Sequence, residues 1–311
     1  MEKPQIVILT GPTATGKTAL AIELATRYGA EVVSADSRQV YRYLDIGTAK
    51  PTPEQRAAVP HHLIDIVNPD EQFDGARFRS LAMTTIYDVT QRDRRVLVVG
   101  GTGLYLRALT RGLFHGPPAD QTLRTRLQEQ EHTEGKGFLH RWLNSVDPTA
   151  AARLHPNDLM RQIRALEVFL LTGAPMSRWQ QEHGFREQPF STLTISLVCE
   201  REVLHRRIEA RCQQMIRDGL LDELCRVWAM GYDSALPVFQ TIGYAQMGAF
   251  LQGRLGYEEA FAQMVTETKR LAKRQLTWFR AEPAVQWFSP LQACEIITEI
   301  EKFWQQEELN H

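Results

Sequence analysis

The chain has 311 residues, and its 36 lysines and arginines against 37 aspartates and glutamates give a formal net charge of −1. Hydrophobic residues make up 43% and charged residues 23%, which is typical of a folded globular protein and excludes disorder as its main state. The length predicts about two domains, or one domain with a large insertion. Taken as an average, the near-zero charge argues against a nucleic-acid-binding protein, because such proteins are usually basic.

The sequence lacks the features of an exported or membrane-bound protein. No uncharged apolar run approaches the roughly 18 residues that span a bilayer, and the first residues lack the layout of a signal peptide. Cys199, Cys212, Cys225 and Cys294 are far apart, so we expect reduced thiols rather than disulfides or a zinc site. These features predict a cytoplasmic protein that does not bind a membrane.

The first hundred residues alternate between strand and helix patterns. Short apolar runs at 6–9, 31–34 and 95–99 predict buried parallel strands, and the spacing of apolar residues after Lys17 predicts a helix. Residues 41–75 are rich in Pro, Asp and Gly and predict an elaborated loop. This alternation, together with the glycine-rich phosphate motif GPTATGKT between the first strand and the first helix, predicts an α/β fold with a P-loop NTPase-like parallel sheet flanked by helices.

The pattern changes after Leu106. Residues 113–190 contain helix patterns near 121–131 and 158–171 but no convincing strand, so we interpret them as a helical insertion domain. Alternating residues at 192–198 then predict a strand that rejoins the sheet.

The remainder of the chain is predicted to complete the core. It is mostly helical to about residue 281, followed by a short strand at 285–288 and a last helix. The predicted organisation is a first core segment at 1–112, the helical insertion at 113–190, and the core completion with C-terminal helices at 191–311.

A phosphate-binding motif lies between the first predicted strand and the first helix. Its sequence GPTATGKT fits G-x-x-x-x-G-K-[ST], in which glycines let backbone N–H groups point at phosphate oxygens beside the positive end of a helix. Lys17 would neutralise phosphate charge, and the Thr18 hydroxyl would bind Mg²⁺. The motif predicts pyrophosphate or nucleotide binding by Gly11, Pro12, Thr13, Ala14, Thr15, Gly16, Lys17 and Thr18.

A kinase or ATPase with this motif would also need an apolar strand that ends in Asp. The candidate strand runs into Val99 and then Gly-Gly-Thr-Gly, which carries no acid. The nearest carboxylate after a strand is Asp36, at the edge of the sheet where ligands bind in such folds. Asp36 could hold Mg²⁺ through water, act as a base, or cap a turn. The missing acid weakens the interpretation as a kinase.

Two arginines in the second half of the chain could also reach the phosphates. Arg207 and Arg211 are four residues apart on a predicted helix and could cover the phosphate loop, as lid arginines do in kinases. Surface salt bridges are the alternative. The adjacent His61 and His62 point in opposite directions on an extended segment, so we expect a structural role rather than metal binding.

Seven segments, in order along the chain, match the motifs of one family. They are GPTATGKT (11–18), ADSRQVYRYLDIGTAKP (35–51), HHLIDI (61–66), VGGTGLYLRAL (99–109), LHPNDLMRQIRALEV (154–168), IGY (242–244) and AKRQLTWFR (272–280). On these segments the chain resembles the tRNA dimethylallyltransferases, also called tRNA isopentenyl transferases, over nearly its whole length. Thr15 departs from the pattern, since the family more often has Ser there.

The resemblance implies transfer of a dimethylallyl group from dimethylallyl pyrophosphate to N6 of the adenosine 3′-adjacent to the anticodon. The products would be N6-dimethylallyladenosine in tRNA and free pyrophosphate. The phosphate motif would then hold the pyrophosphate leaving group, with Lys17 and Mg²⁺ stabilising its growing charge. The resemblance places the general base at Asp36, and it adds Thr18 and Thr102 to the catalytic set.

The resemblance also implies contacts with the tRNA anticodon stem-loop. Arg161 and Arg164 lie one helical turn apart and would face phosphates; the alternative is a solvated helix face. In the segment 269–280, aromatic residues could stack on bases, whereas Leu276 and Phe279 could also pack into the core. The implied tRNA-contact residues are Asp36, Ser37, Arg38, Gln39, Thr102, Arg124, Met160, Arg161, Gln162, Ile163, Arg164, Gln240, Thr241, Ile242, Gly243, Tyr244, Ala245, Lys273, Arg274, Gln275, Leu276, Thr277, Trp278, Phe279 and Arg280.

Three other functions compete with tRNA prenylation. A small-molecule P-loop kinase would need the missing acid, and a tRNA-binding NTPase or chaperone would modify nothing. An adenylate isopentenyltransferase would prenylate free nucleotides, but it would not need the insertion or the basic residues at 269–280. We expect a monomer with tRNA and dimethylallyl pyrophosphate as its partners.

The net charge conceals two opposed segments. The basic strip, residues 269–280, contains five cations and no acidic residue, whereas residues 281–311 contain one lysine and six glutamates. The near-zero total is therefore the sum of a basic strip and an acidic tail. This count removes the initial argument against nucleic-acid binding.

Overall fold

The computed structural model describes residues 3–308. The chain divides into two compact units, of which the first comprises Met1–Thr110 and Gln188–His311 and the second Arg111–Glu187. The sequence predicts a helical insertion at 113–190, and this assignment of an insertion domain stays a prediction.

The first unit is built on a six-stranded parallel sheet. The strand order is β3-β2-β4-β1-β5-β6, so the chain starts near the middle and adds strands toward both edges. The predicted α/β fold is confirmed. The strands are β1 (Gln5–Thr10), β2 (Glu31–Ser34), β3 (His61–His62), β4 (Val96–Val99), β5 (Ser191–Leu197) and β6 (Val285–Phe288).

The described residues form fourteen α-helices. They are α1 (Lys17–Tyr28), α2 (Pro53–Ala58), α3 (Gly75–Gln91), α4 (Gly103–Arg111), α5 (Gln121–Thr133), α6 (Phe138–Val146), α7 (Pro148–Arg153), α8 (Leu159–Thr172), α9 (Met176–His183), α10 (Arg201–Arg217), α11 (Leu220–Ala229), α12 (Tyr244–Leu251), α13 (Tyr257–Arg280) and α14 (Ala293–Glu308). No helix in this part of the chain is long and apolar enough to cross a membrane.

The central strand β1 is buried on both faces, as its unbroken apolar run predicts. Successive side chains of a strand point to opposite faces. Ile6 and Ile8 pack in a cluster with Phe78 of α3, whereas Val7 and Leu9 pack with Leu24 of α1. Helices on both faces therefore leave only the ends of the strands open to a ligand.

The regular elements of the second unit are all helices, with no strand in Arg111–Glu187. Its core is a separate apolar cluster that includes Leu127, Leu143 and Leu166. Side-chain caps begin several of its helices; for example, Asp120 accepts a hydrogen bond from the Leu123 N–H at the start of α5. This unit therefore has its own apolar core.

Candidate active site

The phosphate loop, residues 11–18, connects β1 to α1 at the carboxyl end of the sheet. Gly11 and Gly16 have φ angles of 126° and 96°, which favour glycine because a side chain is strained there. A Cβ atom at Gly11 would overlap the backbone of Leu197 at the end of β5. These two glycines therefore let the loop curl closely against the neighbouring strand.

The Lys17 ammonium lies over the mouth of this loop. Its Nζ donates to the carbonyl oxygens of Gly11 and Pro12, at 2.9 and 2.8 Å. Burial, and to a lesser extent the charge of Arg211, lowers the pKa of Lys17 to about 7. The charge of Asp36 opposes this shift. The cation is thus placed where it can exchange loop carbonyls for phosphate oxygens.

Of the two lid arginines predicted from the sequence, Arg211 reaches the phosphate loop. Its Nη1 donates to the Thr13 hydroxyl at 2.9 Å. Burial lowers the pKa of Arg211, and the charge of Asp36 opposes this effect. Arg207 is exposed on the same helix. Burial raises the pKa of the Cys199 thiol, and the charge of Arg207 opposes this rise.

Asp36 lies in the turn that follows β2. Its Oδ1 accepts hydrogen bonds from the N–H groups of Arg38 and Gln39, at 2.8 and 3.4 Å. The Thr102 hydroxyl, in the turn after β4, accepts the Ser37 N–H at 3.1 Å. The structure therefore brings Asp36 and Thr102 together, and the charge of Asp36 also acts on both Lys17 and Arg211.

Arg38 and Gln39, which follow in the Asp36 turn, differ in whether their side chains are bonded within the protein. Arg38 is exposed, whereas the Gln39 amide is bonded within the protein: its Oε1 accepts from the Ser34 hydroxyl at 3.0 Å and its Nε2 donates to the Ala49 carbonyl at 3.1 Å. Arg38 therefore exposes its side chain to solvent, and its charge acts on Tyr41 and Tyr105.

The donor set at this end of the sheet fits a hard divalent cation. The Thr18 hydroxyl adjoins the phosphate loop, and Asp36 supplies a carboxylate close enough to interact with Lys17; Mg²⁺ prefers such oxygen ligands. Among the described residues, no group of three or more His, Cys, Asp or Glu side chains could hold a metal ion alone. Phosphate oxygens and water would have to complete the coordination.

The basic strip occupies the last turns of α13 and has two faces. Inward, the Gln275 amide reaches the phosphate loop, Phe279 is buried, and Trp278 packs so closely that a Cβ at Gly103 would overlap its indole. Arg107 stacks over the Trp278 ring, 4.4 Å from its centroid. The outward face presents Lys273, Arg274, Thr277 and Arg280 to solvent, and Leu276 is half-buried.

The segment 240–245 is mainly part of the core. Tyr244 is 1% exposed, and its hydroxyl donates to Glu223 Oε1 at 2.6 Å. Thr241 donates to the Val238 carbonyl at 2.7 Å, and Gly243 is buried with a φ angle of 92°. Gln240 is exposed, whereas Ile242 and Ala245 are half-buried.

In the helical unit, two of the arginines implied to contact tRNA surround one buried carboxylate. Glu167 is fully buried and accepts two hydrogen bonds from Arg124, both 2.8 Å long, and one from Arg164 at 2.5 Å. Burial would raise the pKa of Glu167, but these bonds and the Asp120 N–H outweigh it and lower the pKa. Met160 and Arg161 are exposed, whereas Gln162 and Ile163 are buried.

Sequence reasoning missed the buried carboxylates that hold these loops. Glu223 of α11 accepts the N–H groups of Asp45, Ile46 and Gly47, and therefore fixes the loop that follows the Asp36 turn. Nothing in the helix pattern of α11 distinguishes Glu223 from a surface acid. His62 contacts Glu31 at 2.7 Å, which agrees with the structural role expected for the histidine pair.

Comparison with known proteins gives matches along nearly the whole chain. Residues 39–282 match the family model described as IPP transferase, and residues 4–65 match the one described as isopentenyl transferase. A tRNA dimethylallyltransferase 2 from Syntrophus aciditrophicus is 51% identical over 96% of both chains. A tRNA dimethylallyltransferase from Geobacter metallireducens is 50% identical over 92% of this chain and 93% of its own.

Solved structures are similar over comparable lengths. The tRNA isopentenylpyrophosphate transferase from Bacillus halodurans has a TM-score of 0.73 at 40% identity, covering 99% of this chain and 100% of its own. A eukaryotic dimethylallyltransferase acting on tRNA has a TM-score of 0.74 at 27% identity, covering 93% of this chain and 75% of its own. Together with the geometry of the phosphate loop and Asp36, these matches show that the chain belongs to the IPP transferase family.

Proposed function

We propose that this chain transfers a dimethylallyl group from dimethylallyl pyrophosphate to N6 of the adenosine 3′-adjacent to the anticodon in tRNA. The observation that carries the proposal is the position of Asp36, whose charge acts on both Lys17 and Arg211 at the phosphate loop. A carboxylate beside a cationic phosphate cradle suits a reaction in which a proton is removed while pyrophosphate leaves.

The phosphate loop stabilises the leaving group. Negative charge grows on pyrophosphate as the allylic C–O bond breaks, and the loop N–H groups, Lys17 and Arg211 face the region where that charge develops. A bound Mg²⁺, held in part by Thr18, would supply further positive charge to the pyrophosphate oxygens. Arg207, which is exposed and lies near Cys199, has no comparable support for this role.

Asp36 accepts the proton that the adenine amino group loses. The N6 lone pair is delocalised into the ring, so removal of a proton helps N6 to form its bond to the allylic carbon. The C–O bond to pyrophosphate breaks in the same exchange, and the proton moves from N6 to the Asp36 carboxylate. Thr102, hydrogen-bonded to Ser37 beside Asp36, would orient the flipped base.

Exposed cations of both units supply the contacts with the tRNA anticodon stem-loop. On α13 these are Lys273, Arg274 and Arg280, and on α8 it is Arg161. Their charges would neutralise backbone phosphates, which carry most of the affinity for RNA. Arg124 and Arg164 would contribute through the parts of their side chains that Glu167 leaves exposed, about a quarter and a third respectively.

The remaining expectations are a monomer that acts in the cytoplasm. All four cysteines are free thiols, as expected in a reducing compartment.

The test is an in vitro transfer reaction. The protein is incubated with dimethylallyl pyrophosphate, Mg²⁺ and unmodified tRNA that has adenosine beside the anticodon, and the digested nucleosides are measured by mass spectrometry. We expect N6-dimethylallyladenosine without added ATP, and none when guanosine replaces that adenosine. Product from free AMP but not from tRNA would instead support the adenylate isopentenyltransferase. Absence of product from a folded sample that binds tRNA would overturn the proposal.

A further inference from the structure

One side chain joins the phosphate loop to the turn that follows β4. The Gln275 Oε1 accepts the Thr13 N–H at 2.9 Å, and its Nε2 donates to the Gly101 carbonyl at 3.1 Å. The two partners follow β1 and β4, which are adjacent in the sheet. Both hydrogen-bonding ends of one amide are thus used, each on a different loop of the site, from a helix that belongs to neither.

The turn is shaped to receive this amide. A Cβ atom at Gly101 would overlap Gln275 Nε2, so any side chain there would displace the bridge. Gly101 has no positive φ, and close approach rather than backbone strain is therefore the reason for glycine at this position. Thr102 follows immediately and accepts the Ser37 N–H beside Asp36.

Thr13 is held from two sides. Gln275 occupies its backbone N–H, and Arg211 donates to its hydroxyl at 2.9 Å. The N–H of Thr13, a residue that the sequence predicts to bind phosphate, is therefore bonded to a protein acceptor. The start of the phosphate loop is fixed by protein groups, and the N–H groups that follow it in the loop remain for the ligand.

We propose that Gln275 is a positioning residue, which sets the distance between the pyrophosphate cradle and the turn that carries Thr102 beside Asp36. The resemblance implies a tRNA contact at Gln275, but both ends of its amide are bonded to the two loops, and the positioning role rests on the proposed function. The reaction needs the allylic carbon, held through its pyrophosphate, to meet N6 in line, and a displacement of about 1 Å can reduce a rate by about 100-fold. A bridge between the two loops supplies that geometry before substrates bind.

The test compares Gln275→Met with wild type. Methionine has nearly the same length and volume, but it makes neither hydrogen bond. We expect kcat to fall by about 10- to 100-fold. The KM for dimethylallyl pyrophosphate should rise by a smaller factor, and the Kd for tRNA should stay within about twofold of wild type. Gln263→Met is the matched control, because Gln263 is an exposed glutamine of the same helix; its kcat should equal that of wild type.

A second variant tests the bridge independently. Gln275→Glu can still accept the Thr13 N–H but cannot donate to Gly101, and its carboxylate adds negative charge beside the phosphate loop, so we expect its kcat to fall at least as far as that of Gln275→Met. Thermal unfolding is measured for every variant. If Gln275→Met does not fold, the kcat of Gln275→Glu is compared with that of wild type instead.

Two results would overturn the positioning role. One is a kcat within twofold of wild type in folded Gln275→Met. The other is a loss of kcat matched by equal losses in tRNA affinity and thermal stability, which would indicate a structural role alone. Failure of the wild-type protein to prenylate tRNA would instead defeat the proposed function.

Discussion

The Tyr244 hydroxyl donates to the Glu223 carboxylate at 2.6 Å, and both residues are 1% exposed. The same carboxylate accepts the N–H groups of Asp45, Ile46 and Gly47. Burial, followed by the Glu223 charge and hydrogen bond, raises the pKa of Tyr244, so its hydroxyl stays protonated and acts as a donor. This pair therefore anchors the loop after the Asp36 turn from inside the core.

Tyr244→Phe tests whether this tyrosine serves the core or the RNA. The change leaves a buried carboxylate with one donor fewer, and we expect a loss of about 1 to 3 kcal/mol in the free energy of unfolding. The Kd for tRNA should stay within twofold. Denaturant unfolding and a filter-binding titration measure the two quantities. Tyr257→Phe, at a 37% exposed tyrosine, is the control; a weaker Kd with unchanged stability would instead assign Tyr244 to the RNA interface.

We expect the protein to take up a proton when pyrophosphate binds, because the pKa of Lys17 is low in the free protein. Burial and Arg211 lower the pKa of Lys17 to about 7 despite Asp36, and a bound anion raises it because the ammonium gains a partner. The complex therefore holds more protons than the free protein above about pH 7, and the affinity for pyrophosphate falls as pH rises.

Calorimetry at pH 8 in two buffers of different ionisation enthalpy measures this uptake. Lys17→Arg is the matched comparison, since a guanidinium remains charged and the protonation of pyrophosphate itself is common to both proteins. We expect greater uptake in wild type than in Lys17→Arg. Equal uptake would show that Lys17 is already protonated in the free protein.

Arg124→Ala should weaken the fold of the helical unit as well as any contact with tRNA. Glu167 would lose two charge-assisted hydrogen bonds while remaining buried beside Arg164. We expect a loss of about 2 to 3 kcal/mol in the free energy of unfolding, measured with denaturant. Arg126→Ala, at an exposed arginine of the same helix, should change stability by less than about 0.5 kcal/mol. Equal stability of the two variants would contradict the anchoring role.

The elements predicted correctly from the sequence are those defined by local patterns. Unbroken apolar runs located the central strands, and the glycine spacing located the phosphate loop, because both signals lie within a few adjacent residues. The strand His61–His62 was missed, since two edge residues without an apolar run give no periodicity. Asp36 was predicted to face the ligand-binding edge of the sheet from its place after β2, and its role as the base stays a prediction.

The partners of charged and amide side chains could not be predicted in the same way. Glu223 is 178 residues from Asp45, and Gln275 is 262 residues from Thr13. Whether a helix turns such a side chain inward depends on which loop reaches it in the folded chain. The basic strip shows the consequence, since one amphipathic segment contains both solvent-exposed cations and the Gln275 amide that reaches the phosphate loop.

Lys273→Ala should reduce the salt dependence of tRNA binding. Lys273 is exposed on the outward face of α13, and each phosphate contact adds about 0.7 to 0.9 to the slope of log Kd against log salt concentration. We expect the slope to fall by about that amount, with no change in preference for adenosine at the modified position. Lys302→Ala, at an exposed lysine of α14, should leave the slope unchanged. The same slope in both variants would remove Lys273 from the interface.

Asp36→Asn separates proton transfer from the architecture of the turn. The asparagine oxygen can still accept the N–H groups of Arg38 and Gln39, so the turn is retained, but an amide cannot take the proton from N6. We expect single-turnover prenyl transfer to slow by about 100- to 10,000-fold, with the Kd for tRNA within threefold of wild type.

Asp74→Asn is the matched control for the Asp36 substitution. Asp74 also accepts two backbone N–H groups through Oδ1, but at the start of α3. The rate of Asp74→Asn should equal that of wild type, because only the carboxylate beside the phosphate loop accepts the proton that N6 loses. A rate near wild type in Asp36→Asn would assign proton removal to another group. A loss of tRNA affinity as large as the loss of rate would make Asp36 a binding residue instead of the base.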